Sequence, residues 1–165
     1  MTILGIDPGL ALLGYGAIDA QPGGKCRLLG CGVIETKAGT PYPDRLRTIF
    51  RGVEELTRLY DPQDVVFEEL FFSKNITTGI QVGGARGVAL VAAANHTAEL
   101  FEYTPMQIKL AVTGSGAADK RQVQTMVKLL LSLDEYPRPD DAADAVAAAL
   151  THASNLRVRD MYRIK

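Results

Sequence analysis

Short apolar runs punctuated by glycine and proline dominate the first 35 residues of the chain. Residues 3–6, 13–18 and 27–35 read as three strands, and the connections at Pro8-Gly9 and Pro22-Gly-Gly24 are short enough to imply an antiparallel meander. From Asp44 the period lengthens. Leu46, Ile49, Phe50, Val53, Leu56 and Leu59 recur at helical spacing up to Tyr60, with Arg and Glu on the other face and Asp61-Pro62 as the stop, which predicts an amphipathic helix. Residues 64–70 form a short buried strand, and residues 76 to about 98, rich in Gly, Ala and Val, a second helix whose small residues allow close packing. A fifth strand follows at 100–103, then a short helix after Pro105 and a glycine loop at Gly114-Ser-Gly116. A helix over 119–133 carries Val123, Met126, Val127 and Leu130 inward, and an Ala-rich helix runs from about 141 to 155. A meander followed by alternating helix and strand predicts an α/β chain: a mixed five-stranded sheet with helices on both faces.

Composition narrows this picture. The 165 residues suit a single domain spanning 1–165, with no internal repeat. Hydrophobic residues at 47% and charged residues at 22% describe an ordinary globular chain. The first residues lack a basic leader, and the apolar run 88–94 is far shorter than the roughly 20 residues a bilayer requires, so no membrane association and a cytoplasmic location are expected. Cys26 and Cys31 stand five apart in a strand, so alternation sends them to opposite faces as plain thiols. The formal net charge of −1 argues against coating nucleic acid by bulk charge and leaves room for a basic rim around a cluster of acids.

Such acids exist. Asp7 ends the first strand, where side chains of an open α/β sheet face the ligand crevice, although Asp-Pro-Gly also simply starts a turn. Glu68 and Glu69 end a buried strand, where an acid needs a partner, and strand alternation lets only one of them face a given site. Asp140, Asp141 and Asp144 open the last helix; residues three or four apart share a face, and the same spacing also fits helix capping. If acids from these three elements converge, they require cations, and all-oxygen ligation selects Mg²⁺ or Mn²⁺ over zinc. His96 and His152 are the only histidines and too scattered for zinc, and no Ser or Cys has a neighbouring base. The chemistry left is metal-activated water attacking a phosphate.

Gly5-Ile-Asp-Pro-Gly9 with Gly14-Tyr-Gly16, Ser73-Lys-Asn75, Ala85-Arg-Gly-Val-Ala89, Gly114-Ser-Gly-Ala-Ala-Asp-Lys120 and Asp141-Ala-Ala-Asp-Ala145 together resemble the RuvC family of Holliday-junction resolvases over essentially the whole length. The resemblance implies an RNase H-like fold and a Holliday-junction resolvase that makes paired nicks in four-way DNA during recombination and repair. It further implies a homodimer and a site on each subunit where Asp7, Glu68, Asp141 and Asp144 hold two Mg²⁺, with Mn²⁺ able to substitute. It implies that Phe71 stacks on a base at the opened crossover and that Lys109 and Lys120 contact phosphate. RuvC-like enzymes work with the RuvA and RuvB branch-migration proteins.

Glu69 and Asp140 place extra acids beside the family carboxylates, so a compensating rim is expected from Lys74, Arg86, Lys120, Arg121 and Lys128, with the basic tail Arg157, Arg159, Arg163 and Lys165. Three other readings compete. The actin-like and sugar-kinase fold shares the opening turn but needs two lobes, which 165 residues exclude. A nuclease for structured RNA differs in substrate, and an inactive junction-binding module would have to keep every motif carboxylate without using it.

Overall fold

The computed structural model describes residues 1–70, 76–96 and 99–165. Its elements run β1 (Thr2–Asp7), β2 (Leu12–Ala20), β3 (Cys26–Glu35), α1 (Tyr42–Tyr60), β4 (Asp64–Glu68), α2 (Ile76–Ala94), β5 (Glu99–Tyr103), α3 (Pro105–Thr113), α4 (Lys120–Leu130) and α5 (Asp140–Ser154), closed by a 3-10 stretch at Leu156–Tyr162. The strands order as β3-β2-β1-β4-β5. β1, β2 and β3 pair antiparallel, as their short turns require, while β1–β4 and β4–β5 are parallel, with α1 and α2 as the crossovers that parallel pairing demands. No described helix is long and apolar enough to cross a membrane.

Period-two alternation splits the apolar side chains between two cores. Ile3, Ile18, Val66, Phe101 and Tyr103 meet α3, α4 and α5 on one face; Leu4, Ile6, Leu13, Val65 and Phe67 meet α1 and α2 on the other. The two short helices start where the sequence supplies caps. Thr104 with Gln107, and Asp119 with Gln122, form reciprocal capping boxes, and these set Lys109 within α3 and Lys120 as the first residue of α4. Element ends differ slightly from the sequence pattern. β4 stops at Glu68, where its partner β5 stops at Tyr103, and α2 ends at Ala94.

The expectation that Cys26 and Cys31 face opposite ways is wrong. Pairing of β2 with β3 passes from Ala17↔Gly30 to Ile18↔Leu28, so Leu29 is skipped in a bulge. The extra residue inverts the alternation, and both thiols pack against the α5-side core.

Helix α5 lies with its backbone on the sheet. A Cβ on Gly5 would stand 2.0 Å from the Ala145 carbonyl oxygen, one on Gly14 would stand 2.0 Å from that of Asp141, and one on Gly16 would meet Val146. The facing helix residues are mostly alanine. Gly14→Ala should therefore destabilise by about 1–3 kcal/mol or more, because the clash is with backbone that no rotamer change relieves. Urea unfolding measures this, and an unchanged midpoint would mean that α5 is free to lift off the sheet.

Candidate active site

Three elements deliver acids to one end of the sheet. Asp7 stands at the C-terminal end of β1, Glu68 at that of the neighbouring parallel strand β4, and Asp141 and Asp144 at the start of α5, which packs across both. Alternation decides between the two glutamates. Val66 belongs to the α5-side core, so Glu68 faces α5, while Glu69 turns to the other face and lines a separate cavity with Gly83, Arg86 and Glu102. Glu68, Asp144, Lys109 and Lys120 line a cleft of about 260 Å³ with Pro105, Ile108 and Val123. Side-chain capping of α5 is not what the acids do, since Pro139 is the N-cap residue and no side chain caps the helix, although Asp140 and Asp141 stand in the first turn, where acids favour the helix dipole.

The carboxylates repel one another in a half-buried place. Burial, then Asp144 and Asp141, raise the Asp7 pKa from 3.8 to about 7, with Lys120 pulling the other way. Burial, then Asp7 and Asp144, raise that of Glu68 from 4.5 to about 8, opposed by Lys109 and Lys120. Burial also raises Asp144, against the hydrogen bond from Lys120. The Lys120 ammonium lies 3.1 Å from Asp144 Oδ2 and 3.6 Å from Asp140 Oδ2. Among the described residues, no three Asp, Glu, His or Cys side chains stand together tightly enough to hold an ion as they are placed. The donor set nonetheless suits a hard divalent cation in kind. It is all oxygen and anionic, and it carries a repulsion that positive charge would relieve.

The other residues read from sequence as DNA-binding are distributed differently. Arg121 lines a groove of about 430 Å³ between α3 and α4, with Thr113, Ser115 and Gln122. Arg86 is not brought to the cleft, because its guanidinium pairs with Glu102 of β5. Phe71 and Lys74 lie outside the described residues. Two arginines of the basic tail are engaged away from the cleft. Arg159 pairs with Asp64 and Glu99, and Arg163 with Glu99 and Asp160. Asp64 and Glu99 begin β4 and β5, so this cluster sits at the opposite edge of the sheet from Glu68. Lys128 lies over the Tyr136 ring. What sequence reasoning missed is a buried chain of polar groups, Asp64 of β4, His152 of α5 and Tyr103 of β5, two of them on elements that also carry the acids.

Against known proteins, a family model described as crossover junction endodeoxyribonuclease RuvC matches residues 3–152. A crossover junction endodeoxyribonuclease RuvC of Alkaliphilus oremlandii is 50% identical over 165 residues, covering 100% of both chains. Two Thermus thermophilus RuvC structures superpose at 38% identity: one at TM-score 0.91, covering 99% of this chain and 100% of the other, and one in complex with Holliday junction substrate at 0.93, covering 99% of each. The superposition shows the RNase H-like fold anticipated from the motifs.

The raised carboxyl pKa values fix a pH response. Asp7 and Glu68 hold their protons more tightly folded, at about 7 and about 8, than at their ordinary 3.8 and 4.5. Through that window the folded state binds more protons, so metal-free stability falls as pH rises and levels off above about pH 8. Melting in a chelator should show this decline, Mg²⁺ or Mn²⁺ should raise the melting temperature increasingly toward alkaline pH, and Asp7→Asn should flatten the slope. A profile with neither slope nor metal increment would refute the coupling.

Proposed function

This chain belongs to the RuvC family of crossover junction endodeoxyribonucleases, and from that premise we propose that it is a metal-dependent Holliday-junction resolvase. It nicks two opposing strands of a four-way DNA junction symmetrically during recombination and repair. What supports the reading is that Asp7, Glu68 and Asp144 stand at one end of the sheet on three separate elements, β1, β4 and α5, with Lys109 and Lys120 lining the same cleft as Glu68 and Asp144. A Thermus thermophilus relative of the same fold was solved with Holliday junction substrate, which supports DNA as the ligand.

Asp7, Glu68, Asp141 and Asp144 would hold two Mg²⁺, or Mn²⁺ in their place; bound there, such ions activate water and stabilise charge on a phosphate undergoing in-line displacement. The chain's own residues prepare the place. Burial and repulsion keep protons on Asp7 and Glu68 until positive charge arrives. Lys120, held between Asp144 and Asp140, is the cation that must yield part of its pairing as phosphate and metal enter. Lys109 beside Glu68, and Arg121 and Lys74 further out, would grip phosphates and position the strand. Phe71 would stack on an unpaired base at the crossover.

Two coordinated cuts on a symmetric junction call for two sites related by a two-fold axis. On α2, Ala85, Ala89 and Ala92 are buried against the sheet and Gly84 meets Tyr42 of α1, while Ile80 and Val91 are 69% and 56% exposed. The free stripe is therefore Ile80–Gly87–Val91, and we assign it to a second copy. The single 1–165 unit would act in the cytoplasm with RuvA and RuvB as its branch-migration partners.

The deciding experiment is Mg²⁺-dependent nicking of a synthetic four-way junction. Asp7→Asn and Glu68→Gln should each lower nicking by orders of magnitude while gel-shift affinity for the junction stays near wild type, because these groups serve the attack and not the grip. Glu69→Gln, on the other face, should cost far less. The reverse ranking of the two glutamates would move the site one residue along β4. Light scattering tests the dimer: a fully active 17.8 kDa species at micromolar concentration would refute it.

A further inference from the structure

The end of α5 remote from the acids carries a second polar assembly. His152 and Asp64 are 0% and 1% exposed. His152 Nε2 lies 2.7 Å from Asp64 Oδ2, and Nδ1 lies 3.0 Å from the Tyr103 hydroxyl. The carboxylate can only accept, so Nε2 donates to it, which leaves Nδ1 to accept from Tyr103. Arg159 Nη1 donates to the same Asp64 oxygen at 2.6 Å and balances its charge. Phe101 packs 4.4 Å from the imidazole, and Tyr162 stacks on Tyr103. Both ring nitrogens of His152 are partnered, and the histidine has no freedom to turn.

Its placement matters more than its content. Asp64, Val66 and Glu68 share the α5-facing side of β4, and β4 runs opposite to α5, so Asp64 meets His152 at one end while Glu68 meets Asp144 at the other. Four strand steps from Asp64 to Glu68 span about 13 Å. Eight helix steps from Asp144 to His152 span about 12 Å. The two elements therefore meet in step at both ends. Tyr103 adds a second tie, because it is the β5 residue registered with Glu68 and its carbonyl accepts from the Glu69 amide at 2.9 Å. At the acid end the helix meets β4 acid against acid, with Asp144 and Glu68 lining the same cleft and Asp144 adding to the repulsion on Glu68. A helix free to slide would relax by moving apart there.

We infer that Asp64, His152 and Tyr103 form a brace that fixes the axial position of α5 on β4, and so holds Asp141 and Asp144 at reacting distance from Glu68. His152 and Tyr103 are thus positioning residues; neither touches the reacting atoms. The inference rests on the acids being the site proposed above.

Tyr103→Phe tests it by removing one hydroxyl and keeping the ring. Expected is a fall in nicking kcat of about tenfold or more with KM for the junction unchanged, weaker Mn²⁺ binding by calorimetry, and faster amide exchange at Asp141–Asp144. His152→Gln, which can still donate to Asp64, should retain more activity than His152→Ala. The control is Val53→Ala in the opposite core, assayed well below both melting temperatures. If Tyr103→Phe shows wild-type kcat, Mn²⁺ affinity and exchange, or if Val53→Ala at equal loss of melting temperature depresses them as much, the brace merely stabilises the fold and the inference is overturned. If the wild-type protein neither nicks a junction nor binds Mn²⁺, the proposed function fails instead, and exchange at Asp141–Asp144 alone still decides whether the brace positions the helix.

Discussion

How near α5 comes to the sheet sets what its carboxylates can reach. With glycine at positions 5, 14 and 16 beneath it and alanines along its underside, the helix rests on strand backbone instead of on a layer of large side chains. Packing of this kind yields less apolar burial per residue than a Leu-rich helix would give, since each alanine removes little area from water. What it provides is short distance. On β1 and α5, where the backbones touch, the short side chain of aspartate suffices. β4 lies one strand further out and offers Val66 to the helix where β1 has glycine, and there the acid is the longer glutamate. The choice of Asp7, Asp141 and Asp144 but Glu68 thus follows from the spacing of the elements that carry them.

Much of this was legible in the chain. Alternation and helical spacing located the elements because β1, β2 and β4 bury most of their residues and α1 and α4 each bury an apolar stripe at helical spacing. The glycines at 5, 14 and 16 were visible as a motif, but their reason was not, because it is a helix more than 120 residues later. Strand alternation narrowed the glutamate to one of two, the family resemblance named Glu68, and the helix packed over β4 gives the physical reason. Where the reading went astray, a local irregularity or a long-range pairing was responsible. The Leu29 bulge reverses the faces of Cys26 and Cys31, and its one local signal, Gly30 beside it inside the strand, was not used. His152 was read only as too isolated for zinc, and its role was missed because its partner Asp64 lies 88 positions away, beyond any spacing rule.

The tail arginines show how charge counting misleads. Arg159 and Arg163 look free in the sequence, yet both are consumed by Asp64, Glu99 and Asp160 at the far edge of the sheet. Exposed pairs of this kind contribute little individually. Asp64 is different, being buried, and without Arg159 and His152 its charge would be costly. The two ends of β4 therefore treat their acids in opposite ways. One is paired with His152 and Arg159, and the other keeps a raised proton affinity despite Lys109 and Lys120 nearby. Local consistency is kept at the first and broken at the second, which is where a folded chain departs from its own stability in favour of a ligand.

That division also constrains how a chain of net charge −1 could hold a polyanion. Phosphate attraction depends on cations whose charge is not already spent inside the fold. Among the described residues, Lys109 and Arg121 form no ion pair, whereas Arg86, Arg159 and Arg163 do. Both free groups belong to α3 and α4, the elements started by the capping boxes at Thr104 and Asp119. Lys120 shares that location but is engaged by Asp140 and Asp144, so its charge becomes available to phosphate only as those acids find another cation. In the proposed function, grip and chemistry would be coupled through one ammonium group: cations bound by the acids would free a positive charge for the strand beside them, and the chain would need no large basic surface to bring a phosphate to its carboxylates.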